Sequence, residues 1–385
     1  MASRTIKILY LTPSVKLLGA RRSLLALASG LSSDFEPVIV CPSPQGLTVE
    51  LQNAGIPVHI IPFYQWRKGK YFFHRFFSVR RLRRLIAELQ PDIVHCNEFH
   101  VMPYAVNAVR GTKIPIVTHI RLTISHRQIK KYFLEQAARI ILVSHSLECK
   151  FHNTGLEDRI TVVYNAIDPA CCVPTGKGEG FRKEIGVSKS DILVGHLGGI
   201  EPRKRQLTTL RAARKVIEKF SDIRFIIAGN PRDEHKGYYE EVVSTAKNLG
   251  IADHVIFLPF RKDVIPLYEA IDINVLISAE EGFGRTIIEA GYLGVPSIGT
   301  CIGGIPELIE DGKTGFIINL DDVDHLAERI LTLAMNPERI RQMGAAARQR
   351  VIEHFLLPAH CRKMEHMYRE LIAASDSHTP SAEER

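Results

Sequence analysis

The chain has 385 residues, enough for two domains, and its 45% hydrophobic and 24% charged residues are those of an ordinary globular protein. No run of 18 apolar residues occurs, which argues against a membrane-spanning helix; the seven cysteines are scattered with no C-x-x-C spacing, which argues against a disulfide framework or zinc site and for free thiols in a reducing cytoplasm. The net charge of +8 is uneven: there are 22 Lys/Arg against 11 Asp/Glu through Asp168 and 28 against 31 beyond it, so the basicity belongs to the N-terminal half.

In chain order, Ile6 to Leu11 reads as a first buried strand rather than the core of a signal peptide, since Lys7 and Lys16 bracket an apolar stretch that contains Pro13. Pro37 to Val40, Val58 to Ile61, Ile93 to His95, Ile116 to His119, Ile140 to Val143 and Ile160 to Val163 are further short, β-branched, apolar runs. Helical patterns lie between them at Ser23 to Leu31, Leu47 to Ala54, Val79 to Leu89 and His126 to Ala138. Alternating units of this kind imply a parallel sheet with helices on both faces. The pattern pauses at Pro169 to Gly180, rich in Pro, Gly, Lys and Cys, and restarts with strands at Ile192 to His196, Arg224 to Ala228, Val255 to Leu258 and Ile273 to Ile277. Helical stretches follow at Thr208 to Phe220, Tyr238 to Leu249, Val264 to Ala270, Val323 to Met335, Pro337 to His354 and Pro358 to Ala374. The expected architecture is α/β, with two doubly wound domains in tandem: residues 1–168, a linker at 169–190, and residues 191–356. A polar, disordered tail is expected from Ser375. Ligands of such sheets bind beyond the carboxyl ends of the strands. His95 and His100 flank a strand end, and no histidine spacing supports a metal site.

The densest chemistry lies in Glu281-Gly-Phe-Gly-Arg-Thr-Ile-Ile-Glu289. A buried strand precedes it and ends in a polar loop at Ser278; Thr286 to Leu293 reads as a helix closed by Gly294 and Pro296. Strand, glycine loop and helix N-terminus present free N–H groups and a positive dipole end to an anion. Glu281 stands at the loop mouth and Glu289 about two helical turns on, so the pair can hold two ends of one elongated polar molecule. The same junction also occurs without a ligand in most α/β proteins. Glu201-Pro-Arg-Lys-Arg-Gln206, after the strand Ile192 to His196, is either a solvated basic turn or a phosphate site. Gly19 opens a helix in Leu17-Leu-Gly-Ala-Arg-Arg-Ser23, and His119 ends a strand. Trp66, Arg67, Lys68, Lys70 and Arg75 interleave with Tyr71, Phe72, Phe73, Phe76 and Phe77 and run into Arg80, Arg81, Arg83 and Arg84. This composition suits an anionic bilayer surface; it is also that of a loop beside the basic face of an ordinary helix.

Glu-Gly-Phe-Gly with a second Glu after seven residues resembles the motif of the retaining glycosyltransferases of family 4, which have the GT-B fold. Asp272 to Ser278, Gly294-Val-Pro296, Gly303-Gly-Ile-Pro-Glu307 and Asp311-Gly-Lys-Thr-Gly-Phe316 resemble its flanking text, and Asn165-Ala-Ile-Asp168 its interdomain junction. The resemblance implies two Rossmann-like domains facing across a cleft, the first binding acceptor and the second a nucleotide diphosphate-sugar, with the helix at 357–374 crossing back to the first. It implies transfer of a sugar to an acceptor hydroxyl with retention, without metal or cofactor, the leaving phosphate helping to deprotonate the acceptor. Lys204, with Arg203, would hold the diphosphate. Glu281 would position the sugar, Gly282, Phe283 and Gly284 would offer N–H groups, Glu289 would accept from the ribose, Gly19 would approach the phosphates and His119 the donor sugar. The chain departs from the pattern at Gly199, where an arginine is usual, and at Arg205, Leu18, Arg21 and Ile120. A sugar or lipid-linked acceptor of surface polysaccharide or glycolipid synthesis fits the aromatic–basic segment, with the enzyme cytoplasmic and peripheral on a membrane. No nucleic-acid motif accompanies the basic half. The rivals are a non-catalytic relative binding nucleotide-sugar or an assembly partner, a GT-B nucleotide-sugar isomerase, and a nucleic-acid-binding module.

Overall fold

The computed structural model describes residues 4–17, 19–66 and 68–377. Leu18, Arg67 and residues 378–385 of the expected tail lie outside the described residues. The chain divides into one unit of Met1–Ala166 with Leu357–Arg385 and a second of Ile167–Leu356.

The first unit runs β1 (Ile6–Leu11), α1 (Gly19–Gly30), β2 (Phe35–Cys41), α2 (Leu47–Asn53), β3 (Val58–Ile60), α3 (Phe72–Leu89), β4 (Ile93–Cys96), α4 (Met102–Val109), β5 (Ile116–Ile120), α5 (His126–Lys131), β6 (Arg139–Leu142) and β7 (Ile160–Val162). The second runs α6 (Gly178–Glu184), β8 (Ile192–Leu197), α7 (Gln206–Ile217), β9 (Ile223–Ala228), α8 (Lys236–Asn248), β10 (Val255–Leu258), α9 (Ile265–Ala270), β11 (Ile273–Leu276), α10 (Arg285–Tyr292), β12 (Ser297–Thr300), α11 (Ile305–Leu308), β13 (Gly315–Ile318), α12 (Val323–Ala334) and α13 (Pro337–His354). The last helix, α14 (Leu357–Ser377), belongs to the first unit.

Strand order is β3-β2-β1-β4-β5-β6-β7 in the first sheet and β10-β9-β8-β11-β12-β13 in the second. Every strand pair is parallel. Both faces are covered, which is why central strands such as Ile-Lys-Ile-Leu-Tyr-Leu and Ile-Asn-Val-Leu read as near-continuous apolar runs, each interrupted by one polar residue. The order reverses between β1 and β4 and between β8 and β11, and ligands of open α/β sheets bind at the carboxyl ends of strands at such points. In the first unit Leu24, Leu27 and Ala28 of α1 share a core with Leu357, Cys361, Met364, Met367, Tyr368 and Leu371 of α14. Their spacing of three and four is that of one helical face.

Several expectations change. Helix α3 begins at Phe72 rather than Val79, so the aromatic–basic segment is largely helical. The expected helix from His126 stops at Lys131, and Phe133 follows in the left-handed region with φ of 56°. Residues 169–190 are no free linker: they contain α6, and the Glu269 carboxylate accepts from the N–H groups of Thr175, Gly176 and Lys177. The final helix runs to Ser377, past the expected start of the tail. Among the described residues no helix is long and apolar enough to cross a membrane.

Candidate active site

In the second unit the loops after β8 and β11 bring together two sequence-predicted residues. Lys204 Nζ and Glu281 Oε2 are 2.5 Å apart, with side chains only 11% and 14% exposed. Ser278 donates to the same carboxylate oxygen at 3.3 Å. The Ala279 N–H donates to the Arg203 carbonyl at 2.7 Å, and Arg203 Nη1 donates to the Glu280 carbonyl at 3.0 Å, so the two loops are joined by one backbone–backbone and one side chain–backbone bond. Burial pushes the Glu281 carboxyl up, but the Lys204 charge and hydrogen bond, the Arg203 guanidinium and Ser278 outweigh it and hold it below its ordinary value. Arg203 also pairs with the buried Glu201 at 2.5 Å.

Gly284 is the N-cap of α10 with φ of 106°, and no side chain caps that helix. Phe283 is buried, its ring 5.9 Å from that of Phe355. Gly303 has φ of 58°, and a Cβ there would fall 1.8 Å from the Glu281 carbonyl oxygen. Only glycine lets this turn approach so closely, and the Gly304 N–H donates to that carbonyl at 3.2 Å.

Glu289 is engaged within the unit: Arg285 Nη2 donates to Oε1 at 3.0 Å and Tyr268 Oη to Oε2 at 2.9 Å. Neither partner was legible as such in the sequence, although an i,i+4 pair such as Arg285 and Glu289 is a recognisable spacing. Three side chains near Gly199 could compensate for the arginine usual there: His196, Arg203 and Arg205. His196 is buried, accepts from or donates to Thr209 Oγ1 at 2.8 Å, and is kept neutral by burial and then by Lys204, its pKa pushed down to about 3. Arg205 lies 3.0 Å from Asp321. Arg203, beside Lys204 in the chain, is paired with Glu201.

In the first unit Gly19 opens α1 after the carboxyl end of β1, exposed, with Ser23 Oγ donating to its carbonyl at 3.0 Å. His119 is buried near the carboxyl end of β5, its Nδ1 2.9 Å from Nε2 of His95. Arg121 donates to Asn97 Oδ1 and to Asn165 Oδ1, both at 2.8 Å. Burial first, and the Arg121 charge second, push the His95 pKa down to about 3 and that of His119 well below its ordinary value. The His95 partnership and Arg121 were not anticipated from sequence.

The aromatic–basic segment splits in two. Trp66 and Arg75 are packed against the unit: the Trp66 ring meets Tyr104 edge-on at 5.2 Å, the Arg75 guanidinium lies 5.1 Å over Trp66, and Arg75 donates to the Trp66 carbonyl. Both are half-buried. Lys68 and Lys70 are exposed, and Phe72, Phe73, Phe76 and Phe77 are 58–71% exposed on α3.

Comparison with known proteins follows the division of the chain. The family described as glycosyl transferases group 1 matches residues 179–350, and that described as glycosyltransferase family 4 matches residues 18–170. The N-acetyl-alpha-D-glucosaminyl L-malate synthase of Bacillus anthracis is 29% identical over 295 residues, covering 73% of this chain and 75% of that protein. A D-inositol 3-phosphate glycosyltransferase of Mycobacterium sp. (strain KMS) is 31% identical over 227 residues, covering 57% of this chain and 49%, about half, of its own length. In fold, the crystal structure of Anabaena HepE in complex with UDP and glucose matches 94% of this chain and 99% of its own with a TM-score of 0.84 at 22% identity.

Proposed function

This chain belongs to the family 4 glycosyltransferases (glycosyl transferases group 1) and has their α/β GT-B fold, and from that premise we propose that it transfers a sugar with retention, without metal, from a nucleotide diphosphate-sugar to an acceptor hydroxyl. Glycosyl transfer from a nucleotide-sugar is the family's chemistry; the stereochemistry, the site and the acceptor are our reading. The observation that carries it is the Lys204–Glu281 pair, largely buried where the strand order of the second sheet reverses.

The pair suits donor chemistry because its ions are already desolvated and mutually neutral. An incoming diphosphate replaces Glu281 as the counter-ion of Lys204, and Arg203 adds a second cation beside it. The released Glu281 carboxylate then meets sugar hydroxyls and steadies the positive charge that grows at the anomeric carbon. The phosphate, as the anomeric C–O bond breaks, gathers negative charge against Lys204 and the N–H groups of Gly282, Phe283 and Gly284. The acceptor oxygen bonds to that carbon on the face the phosphate leaves, and its proton passes to the phosphate oxygen. Glu289, which also accepts from Arg285 and Tyr268, takes the ribose hydroxyls in this reading.

For the acceptor we favour a sugar on a lipid carrier, in surface polysaccharide or glycolipid synthesis at the inner face of a membrane, because four exposed phenylalanines open α3 and the exposed Lys68 and Lys70 precede them in the chain. A second reading, a small anionic acceptor, is favoured by the names of the relatives, which specify L-malate and D-inositol 3-phosphate. The deciding experiment follows the anomeric proton of the product by NMR during turnover. Retention with loss of roughly 100-fold or more in kcat for Glu281→Gln is expected, from the size of one lost transition-state contact. Inversion, or full activity in the variant, refutes the assignment of Glu281.

A further inference from the structure

The carboxyl end of β5 is tied to the C-terminal helix by a buried chain of hydrogen bonds. Tyr10 Oη and Tyr368 Oη are 3.0 Å apart, Tyr368 Oη is 2.6 Å from His95 Nδ1, and His95 Nε2 is 2.9 Å from His119 Nδ1. All four residues are at most 2% exposed. The chain ends at His119 Nε2, which is buried and has no hydrogen-bond partner among the described residues. Buried ring nitrogens are normally paired, and this one lies near the carboxyl end of a strand, where ligands of such sheets bind.

Counting hydrogens gives the chain a direction. Each neutral imidazole carries one N–H and each phenol one O–H. In one arrangement Tyr10 donates to Tyr368, Tyr368 to His95 Nδ1, and His95 Nε2–H to His119 Nδ1; the surplus hydrogen sits on His119 Nε2. In the other, His119 Nδ1–H donates to His95, His95 Nδ1–H to Tyr368, and Tyr368 to Tyr10. The surplus is then the Tyr10 hydroxyl hydrogen, stranded in the core with Leu24, Leu27 and Met364. The first arrangement strands nothing once an acceptor atom meets His119. Both rings stay neutral, since burial and then Arg121 depress their pKa values, so tautomers rather than charges are at stake.

We propose that Tyr368 of α14 is a positioning residue: by donating to His95 it fixes His119 as the Nε2–H tautomer, which presents a hydrogen-bond donor to an oxygen of a ligand bound at the carboxyl end of the first sheet. This rests on the reading of His119 as a ligand-facing residue of the transferase. Removing the Tyr368 hydroxyl leaves His95 Nδ1 unpaired, and Tyr10 stranded, whichever way the rings are protonated, so the bias disappears. Removing the Tyr10 hydroxyl leaves Tyr368 still donating to His95, so the bias stays.

The test is the side-chain nitrogen spectrum of the full chain labelled with 15N-histidine, with His95 and His119 assigned by their loss in His95→Gln and His119→Gln. In the unsubstituted protein both are expected as Nε2–H tautomers; an Nδ1–H form of His119 overturns the proposal, whether or not any variant folds. Tyr368→Phe is expected to move both rings toward tautomer averaging, and Tyr10→Phe to leave them unchanged. A Tyr368→Phe spectrum with the original tautomers overturns the positioning role. In turnover, Tyr368→Phe is expected to lower kcat several-fold with little change in donor KM, and His119→Gln, which keeps an N–H near the Nε2 position, to retain more activity than His119→Ala. Full activity in His119→Ala overturns the ligand-facing half of the proposal and the reading of His119, while the family membership stands.

Discussion

Lys204 and Glu281 come from strings 77 residues apart, each legible as a phosphate-type or glycine-loop motif, yet only the fold makes them a 2.5 Å ion pair. Removing one partner of a largely buried pair leaves the other charge unsolvated, so Lys204→Met is expected to cost about 3 kcal/mol in urea unfolding at neutral pH. The pH dependence follows from the lowered Glu281 value. A carboxyl held below its unfolded value contributes stability that is present above that unfolded value and lost as pH falls through the folded one. Without Lys204 the Glu281 value rises, so the gap between the proteins is expected to be widest near neutrality and to narrow on acidification through the ordinary glutamate range; a gap independent of pH refutes the coupling. At this scale the sequence shows residue types and local spacing but not partners recruited from afar. Glu289 was read with ribose hydroxyls as its partners, and nothing local announced that Tyr268 and Arg285 would also reach its two oxygens. The tyrosine that meets His95 stands 273 positions away, and no local pattern signals such a contact.

Among the elements, the strands on apolar β-branched runs were readable to within a residue or two, because a sheet covered on both faces demands such runs. Strands β12 and β13 were not. Ser297-Ile-Gly-Thr has a single large apolar residue, and it is a strand only because β11 and β13 pair with it on either side. Helix α3 was read too short because the run from Phe72 to Phe77 has no apolar stripe against polar neighbours; Phe72, Phe73, Phe76 and Phe77 all point to solvent, while Ser78, Leu82, Leu85 and Ile86 carry the buried face. Exposed aromatics on a basic helix are the part of this chain most suited to an anionic bilayer. Replacing the four phenylalanines by serine is expected to weaken sedimentation with phosphatidylglycerol vesicles by roughly tenfold or more, since each buried Phe is worth about 1.5–3 kcal/mol, with little change in unfolding midpoint. Unaltered vesicle binding ends the membrane reading and leaves the small anionic acceptor in its place.

For the whole molecule, a doubly wound α/β architecture was legible from the alternation of patterns alone. The return of α14 was implied by resemblance, and its physical basis is the apolar face that Leu357, Cys361, Met364, Met367, Tyr368 and Leu371 give to the first unit's core. A chain ending at Leu356 is therefore expected to lose or sharply lower the unfolding transition of the first unit in calorimetry while that of the second persists; an unchanged first transition contradicts this packing. The central claim, a nucleotide-sugar site built on Lys204 and Glu281, is tested most directly by ligand-induced thermal shifts with UDP, GDP, ADP and their sugars on the unsubstituted chain and on Lys204→Met. A ligand at 100 times its Kd adds about 2.7 kcal/mol to the state it binds. Stabilisation by one nucleotide family, lost in Lys204→Met, is the expected result and names the donor's base. Equal shifts in both proteins would contradict the site, and no shift with any nucleotide would favour a non-catalytic relative.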